Sequence, residues 1–251
     1  MYTLKKSLGQ HFLHDESVSQ RIVGALEARK MTNLLEVGPG GGALTKYLLK
    51  IEGINFKAVE LDKEKVDYLL KKYPDLQGKL IHESILDMPK PFESAFTIIG
   101  NFPYNISSQI LFRILEWREH VDGMVGMFQK EVAQRIAASE GNKVYGVLSV
   151  LIKAFFKVEY LFEVDERSFT PPPKVKSAII SLTPVQEVPA MKSERAFFNL
   201  VKTAFNQRRK MLRNGVKGLF DAKTLEEEIF SKRAEQLSVR EFAALTFKMS
   251  S

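Results

Sequence analysis

The 251-residue chain has no cysteine, a single tryptophan and only four histidines. Without cysteine there are no disulfides, no thiolate-bound zinc and no cysteine nucleophile, a usage that suits a reducing compartment. The histidines are scattered without ligand spacing, so no metal site is expected. No run approaches the ~18 consecutive apolar residues of a membrane-spanning helix, and no membrane association is expected. Met1-Tyr-Thr-Leu-Lys-Lys6 leads into no long apolar stretch, which predicts no signal peptide. Internal repeats, low-complexity tracts and coiled-coil heptads are missing as well. These absences predict a soluble, cytoplasmic and monomeric protein.

What is present is a globular composition. Hydrophobic residues make up 45% and charged residues 27%, enough to build a core and too apolar for wholesale disorder. The length suits one large domain, or a large one with a small companion. Lys and Arg total 37 against 30 Asp and Glu, and the excess is unevenly placed. From Glu187 onward there are 13 basic and 8 acidic residues, which leaves 24 and 22 for everything before. Within Asn206-Gln-Arg-Arg-Lys-Met-Leu-Arg213, four of eight positions are cations: Arg208, Arg209, Lys210 and Arg213. Such a cluster can neutralise phosphates and release counterions, although a solvated helix face carries similar charge.

Hydrophobic periodicity divides the chain into alternating elements. Val18, Ile22, Val23 and Leu26 have helical spacing behind a capping Asp15. Asn33–Val37 is a short apolar strand running into Gly38-Pro-Gly-Gly-Gly42, followed by a helix over Ala43–Leu49. Strands are predicted at Phe56–Leu61, Lys79–His82 and Phe96–Ile99, with helices over Glu64–Lys72 and Ser108–Trp117. The fourth strand is expected to break at Gly100-Asn-Phe-Pro-Tyr104. Met124–Phe128 reads as a strand, Lys130–Ala138 as a helix, and Val158–Val164 and Val175–Leu182 as late strands around Pro171-Pro-Pro173. This alternation predicts a doubly wound α/β sheet, mostly parallel, with antiparallel strands at one edge. Thr183–Ser193 reads as a linker, so residues 1–185 and 186–251 are expected to be separate domains. The second is expected to be helical, over Glu194–Phe205, Thr224–Phe230 and Val239–Phe247.

Two features carry chemistry. A glycine turn between strand and helix lets backbone approach a ligand and presents the amides of a helix N terminus. Glu60 follows Gly38 by 22 residues, at the end of the next strand, where a carboxylate can accept ribose hydroxyls. Together they suit an adenosine-containing cofactor, either a dinucleotide or S-adenosylmethionine; a purely structural turn also remains open. The second feature is Asn101-Phe-Pro-Tyr104. The lone pair of an adenine amine is delocalised into its ring. An Asn carboxamide oxygen and a neighbouring backbone carbonyl can accept its hydrogens and direct that lone pair at a methyl group. Pro103 stiffens the turn, and Tyr104 offers a stacking face for an extruded base.

With these residues in place, the chain resembles the bacterial small-subunit ribosomal RNA adenine dimethyltransferases over nearly its whole length. The resemblance rests on Leu8-Gly-Gln-His-Phe-Leu13, Glu36-Val-Gly-Pro-Gly40, Asn101-Phe-Pro-Tyr-Asn-Ile-Ser107, Gln129-Lys-Glu-Val132, Tyr145-Gly-Val-Leu-Ser149, Phe169-Thr-Pro-Pro-Pro-Lys-Val-Lys-Ser177 and Phe205-Asn-Gln-Arg-Arg-Lys-Met-Leu-Arg213, in that order. It implies a Rossmann-like, S-adenosylmethionine-dependent methyltransferase domain with a small C-terminal helical domain. The implied reaction is dimethylation of two adjacent adenines near the 3′ end of 16S RNA, within the pre-30S subunit. His11, Leu13, Gly38, Glu60, Ser84 and Asn101 would bind the cofactor. Asn101 would lie between cofactor and target amine, and Tyr104 and Phe169 would sandwich the adenine. Arg208, Arg209, Lys210 and Arg213 would dock on the RNA backbone.

One position departs from the family. An aspartate usually follows the third strand and accepts from the cofactor's adenine amine, whereas His82-Glu-Ser-Ile-Leu86 places Ser84 there. Glu83 and Asp87 are the neighbouring carboxylates. Related readings stay open at this point: a 23S adenine methyltransferase of the macrolide-resistance type, a non-catalytic assembly factor, and a nicotinamide oxidoreductase.

Overall fold

The computed structural model describes residues 11–26 and 30–250, so Leu8, Gly9 and Gln10 of the first motif lie outside the described residues. In chain order the strands are β1 (Phe12–Leu13), β2 (Asn33–Val37), β3 (Asn55–Glu60), β4 (Leu80–His82), β5 (Phe96–Asn101), β6 (Val121–Gln129), β7 (Phe156–Val164), β8 (Phe169–Thr170) and β9 (Ser177–Pro184). The helices are α1 (Glu16–Gly24), α2 (Thr45–Leu48), α3 (Lys63–Lys72), α4 (Ser107–Glu116), α5 (Lys130–Ala137), α6 (Val147–Phe155), α7 (Glu194–Asn206), α8 (Leu212–Val216) and α9 (Val239–Leu245).

Seven strands form one sheet in the order β4-β3-β2-β5-β6-β9-β7. β4, β3, β2, β5 and β6 run parallel, and β9 pairs antiparallel with β6. Every residue of β2 is buried and β5 is buried up to Ile99 and Gly100, as expected for strands covered on both faces. The order reverses direction between β2 and β5, which leaves a crevice at their carboxyl ends. β1 pairs separately with β8, Phe12 opposite Thr170 and Leu13 opposite Phe169. Asp15 caps α1 by accepting from the Ser17 and Val18 amides. It also accepts from the Ser168 hydroxyl at 3.0 Å, so the arm carrying His11 is tied to the segment before β8.

Packing divides the chain into two compact units: Met1–Ala133 with Glu159–Pro184, and Gln134–Val158 with Val185–Ser251. The linear division at 185/186 does not anticipate that Gln134–Val158 groups with the C-terminal helices. Its cause is α6, whose residues Leu148–Ile152, Ala154 and Phe155 are all buried. A helix apolar on all sides must be covered on all sides. In the second unit the Phe155 ring lies 6.3 Å from Phe198, and the neighbouring Tyr145 ring lies 6.2 Å from Phe205.

Several local expectations change. β5 runs through Gly100 and Asn101 instead of breaking before them, because both stay paired with Gly126 and Met127 of β6. β9 extends to Pro184, shortening the linker expected from Thr183. The helix expected over Thr224–Phe230 is two short 3₁₀ turns, Thr224–Glu226 and Glu228–Ser231. Its triple-glutamate run Glu226–Glu228 would crowd like charges in one helical turn. α6 and α8 have no counterpart in the periodicity reading.

Candidate active site

The crevice between β2 and β5 opens into a cavity lined by His11, Leu13, Gly38, Glu60, Ser84, Asn101, Pro103 and Tyr104, among others. Residues separated by up to 95 positions in the chain, His11 to Ile106, thus meet at the carboxyl ends of parallel strands. Phe169 is not among the lining residues. It is 2% exposed and packs in the apolar core with Leu13, its partner across the β1–β8 pair. Burying a whole phenyl ring there outweighs presenting it to the cavity.

The glycine turn is built by backbone geometry. Gly38, Gly40 and Gly42 have φ of 67°, 57° and 83°, a region that L side chains rarely adopt. At Gly42 a side chain is also excluded sterically, since a Cβ would lie 2.5 Å from Cε2 of Tyr73. Glu60 closes the turn from the next strand. Its Oε2 accepts from the Gly40 amide at 3.1 Å and its Oε1 from the Asp62 amide at 3.0 Å, while the side chain still borders the cavity.

Asn101 owes its place to two glycines and a phenylalanine. Phe102 is buried to 1% exposure with its ring laid over β5 and β6. A Cβ on Gly100 would come within 2.7 Å of that ring, and one on Gly126 within 2.3 Å. Only hydrogen at both positions lets Phe102 seat, and this anchors the turn that carries Asn101, Pro103 and Tyr104. The backbone carbonyl of Asn101 and Cδ of Pro103 both face Gly38, 3.9 and 3.8 Å from where its Cβ would be.

The mouth is aromatic. The Tyr104 hydroxyl and Ser177 Oγ share a hydrogen bond of 2.5 Å, and burial raises the Tyr104 pKa above its ordinary value. His11 stacks on Tyr104 with ring centroids 5.6 Å apart and an interplanar angle of 30°. Its Nδ1–H donates to the Pro171 carbonyl at 2.8 Å, which fixes that nitrogen as the protonated one.

Ser84 borders the cavity with its hydroxyl accepting from the Leu86 amide at 3.2 Å. Glu83 is also a lining residue; Asp87 is not among them. Sequence reasoning missed Glu36 as a functional group, although it lies in the quoted motif. Its side chain is buried against the cavity and accepts from the Thr45 hydroxyl at 2.7 Å. Desolvation, reinforced by the charge of Glu60 and opposed by Thr45, pushes its pKa up to about 8. A glutamate inside a short, fully buried strand, flanked by Leu35 and Val37, was the available signal.

The four cations of the C-terminal cluster do not stand alike. Arg209 and Lys210 are exposed, whereas Arg208 and Arg213 are half-buried. Nε of Arg213 is inside the protein without a hydrogen-bond partner among the described residues. Among those residues there is also no metal-ligating cluster and no helix long and apolar enough to cross a membrane.

Comparison with known proteins places these features in context. The profile of the ribosomal RNA adenine dimethylase family matches residues 1–247. The chain is 51% identical over 249 residues to ribosomal RNA small subunit methyltransferase A of Flavobacterium johnsoniae, covering 98% of this chain and 95% of the relative. It is 49% identical to the protein of the same name from Cytophaga hutchinsonii, covering 98% and 97%. Among solved structures it is similar to a dimethyladenosine transferase from Plasmodium falciparum, with TM-score 0.79 and 26% identity over 92% of this chain and 94% of that one. The fold is also that of the 23S rRNA methyltransferase ErmE, with TM-score 0.71 and 24% identity over 93% and 99%.

Proposed function

Because the chain belongs to the ribosomal RNA adenine dimethylase family, we infer that it is an S-adenosylmethionine-dependent enzyme that dimethylates the N6 amines of two adjacent adenines near the 3′ end of 16S ribosomal RNA. The observation that carries the reading is the meeting of the Gly38 turn, Glu60 and Asn101 in one cavity at the β2/β5 crevice. The cavity residues fit the cofactor: positive-φ glycines admit a ligand against backbone, Glu60 keeps lone pairs for ribose hydroxyls, and Leu61 and Ile85 offer apolar surface for an adenine. When bound, S-adenosylmethionine supplies a methyl group activated by its sulfonium.

The chain's own contribution is positioning and electrostatics. Asn101, through its carboxamide oxygen, and the neighbouring backbone accept the two amine hydrogens, turning the nitrogen lone pair toward the methyl donor. Pro103 holds that turn. Tyr104, fixed through its hydroxyl by Ser177, gives the extruded base a flat surface. His11 and Leu13 cover the cofactor from the N-terminal arm, and Ser84 and Glu83 face its adenine. Phe169 acts one step back, by holding Leu13 in place.

In this reading Met1–Ala133 with Glu159–Pro184 makes up the catalytic part, and Gln134–Val158 with Val185–Ser251 docks on RNA through Arg209, Lys210 and their neighbours. Phosphate contacts of that kind position the enzyme without choosing the base. The partner is 16S RNA within the pre-30S subunit, met by a monomer in the cytoplasm. Identities of 51% and 49% with two proteins named small-subunit methyltransferases favour the small subunit. Incubating the protein and S-adenosylmethionine with undermethylated small subunits, and separately with 23S RNA, tests the choice. Mass spectrometry should find dimethyladenosine at two neighbouring positions of 16S RNA; modification of 23S RNA alone would overturn it.

A further inference from the structure

Three segments remote in sequence are fastened together around the Arg208 guanidinium. Its Nη2 donates to the backbone carbonyl of Lys143 and, at 3.5 Å, to that of Asn142. Its Nε lies 3.7 Å from Oε2 of Glu235. Glu235 in turn accepts through its backbone carbonyl from the Gly141 amide at 2.7 Å. Asn142 Oδ1 accepts from the Val144 amide at 3.0 Å, and Tyr145 buries its ring beside Phe205. Residues 139–144 are therefore exposed throughout yet fixed from several sides. The loop displays Lys143 and the 41%-exposed Val144 to solvent.

The surrounding chain is cationic. Met211 bridges antiparallel to Arg233, and the Leu212 amide donates to the Lys232 carbonyl at 2.7 Å. Lys143, Arg209, Lys210 and Arg233 are thus carried on segments bonded to one another; Lys232 is paired with Glu241 at 2.9 Å. Glu140 is the acidic exception on the loop, and Glu235 faces inward to Arg208. Arg208 commits its Nη2 to two backbone carbonyls, and its Nε sits near the Glu235 carboxylate without hydrogen-bonding it. Turning the guanidinium toward a phosphate would take that donor away from the two loop carbonyls.

We infer that the RNA-docking surface extends onto the Ser139–Val144 loop, with Lys143 as a phosphate contact and Arg208 as a positioning residue that holds the loop from beneath. The inference rests on the reading of the chain as an RNA methyltransferase and goes beyond it in separating which cations touch RNA. A loop already held in one conformation costs little ordering entropy on binding. Each phosphate contact adds to the steepness with which affinity falls with salt.

The test measures binding of the full chain to undermethylated small subunits across ~50–200 mM KCl, together with amide hydrogen exchange over residues 139–145. Lys143→Ala should weaken binding several-fold and reduce the salt slope by roughly 0.7–0.9. Arg208→Lys keeps the charge and loses the fork; it should weaken binding as much as Arg208→Ala and speed exchange in the loop. Either Arg208 variant should add little once Lys143 is already Ala. Arg208→Lys binding like wild type, while Arg208→Ala loses slope, would make Arg208 a direct phosphate contact and overturn the assignment. An unchanged slope in Lys143→Ala would remove the loop from the surface. Wild-type protein without salt-dependent binding would instead contradict the parent reading.

Discussion

The Gly40 amide donates to Oε2 of Glu60 at 3.1 Å, so one carboxylate braces the glycine turn and borders the cavity at once. Glu60→Gln keeps the shape but replaces a charged acceptor by a neutral one. Charged hydrogen bonds contribute about 1 kcal/mol more than neutral ones, so S-adenosylmethionine affinity should fall about fivefold. Titration calorimetry checks it. An unaltered dissociation constant would take Glu60 out of the binding site.

Ser84 borders the cavity where the family resemblance leads us to expect an aspartate, and its hydroxyl already accepts from the Leu86 amide. Aspartate can keep that turn bond and add a charged acceptor toward the cofactor's adenine. Ser84→Asp should tighten S-adenosylmethionine binding several-fold. Unchanged or weaker binding would assign the contact to Glu83, which borders the cavity as Asp87 does not.

Glu36 titrates at about 8 in the folded chain against an ordinary 4.5. Below pH 4.5 the carboxyl is neutral whether the chain is folded or not. Between 4.5 and 8 the unfolded chain gives up the proton and the folded chain keeps it, so this contribution to stability declines as pH rises through that window and levels off above it. Glu36→Gln should remove the decline. Melting temperatures of both proteins between pH 5 and 9 provide the comparison, and parallel curves would contradict the burial argument.

Gly126 shows how much of the site the sequence conceals. Alanine there would put a Cβ 2.3 Å from the Phe102 ring and 2.7 Å from the Met124 sulfur. Overpacking of this kind costs about 1–3 kcal/mol. Gly126→Ala should lower the melting temperature and displace the Asn101 turn, reducing kcat more than cofactor affinity. Wild-type stability and kcat would mean that Phe102 is not what seats the turn.

The fold was legible where local pattern and environment agree. Asn33–Val37 reads as a buried strand because it is apolar and ends in glycines; Asp15 reads as a cap because its side chain satisfies the first amides of α1. Glu60 and Asn101 were legible as polar residues at strand ends, and both line the cavity. Legibility failed where distant packing decides. Nothing local reveals that Gly100 and Gly126 make room for Phe102, or that Phe169 sits behind Leu13. Val147–Phe155 is a short and mostly apolar run, and periodicity alone does not tell a buried helix of that kind from a buried strand. Arg208 looks like its neighbours Arg209 and Lys210 until its carbonyl partners, 65 and 66 positions earlier, are known.

The central claim is that the amide on the tip of β5 aims an adenine amine at the methyl donor. Transfer of labelled methyl from S-adenosylmethionine to undermethylated small subunits by wild type and Asn101→Ala, with cofactor affinity measured on both, tests it most directly. Wild type should label both adenines, while Asn101→Ala retains cofactor and subunit binding and loses transfer by orders of magnitude. Asn101→Ala turning over at the wild-type rate would contradict the claim.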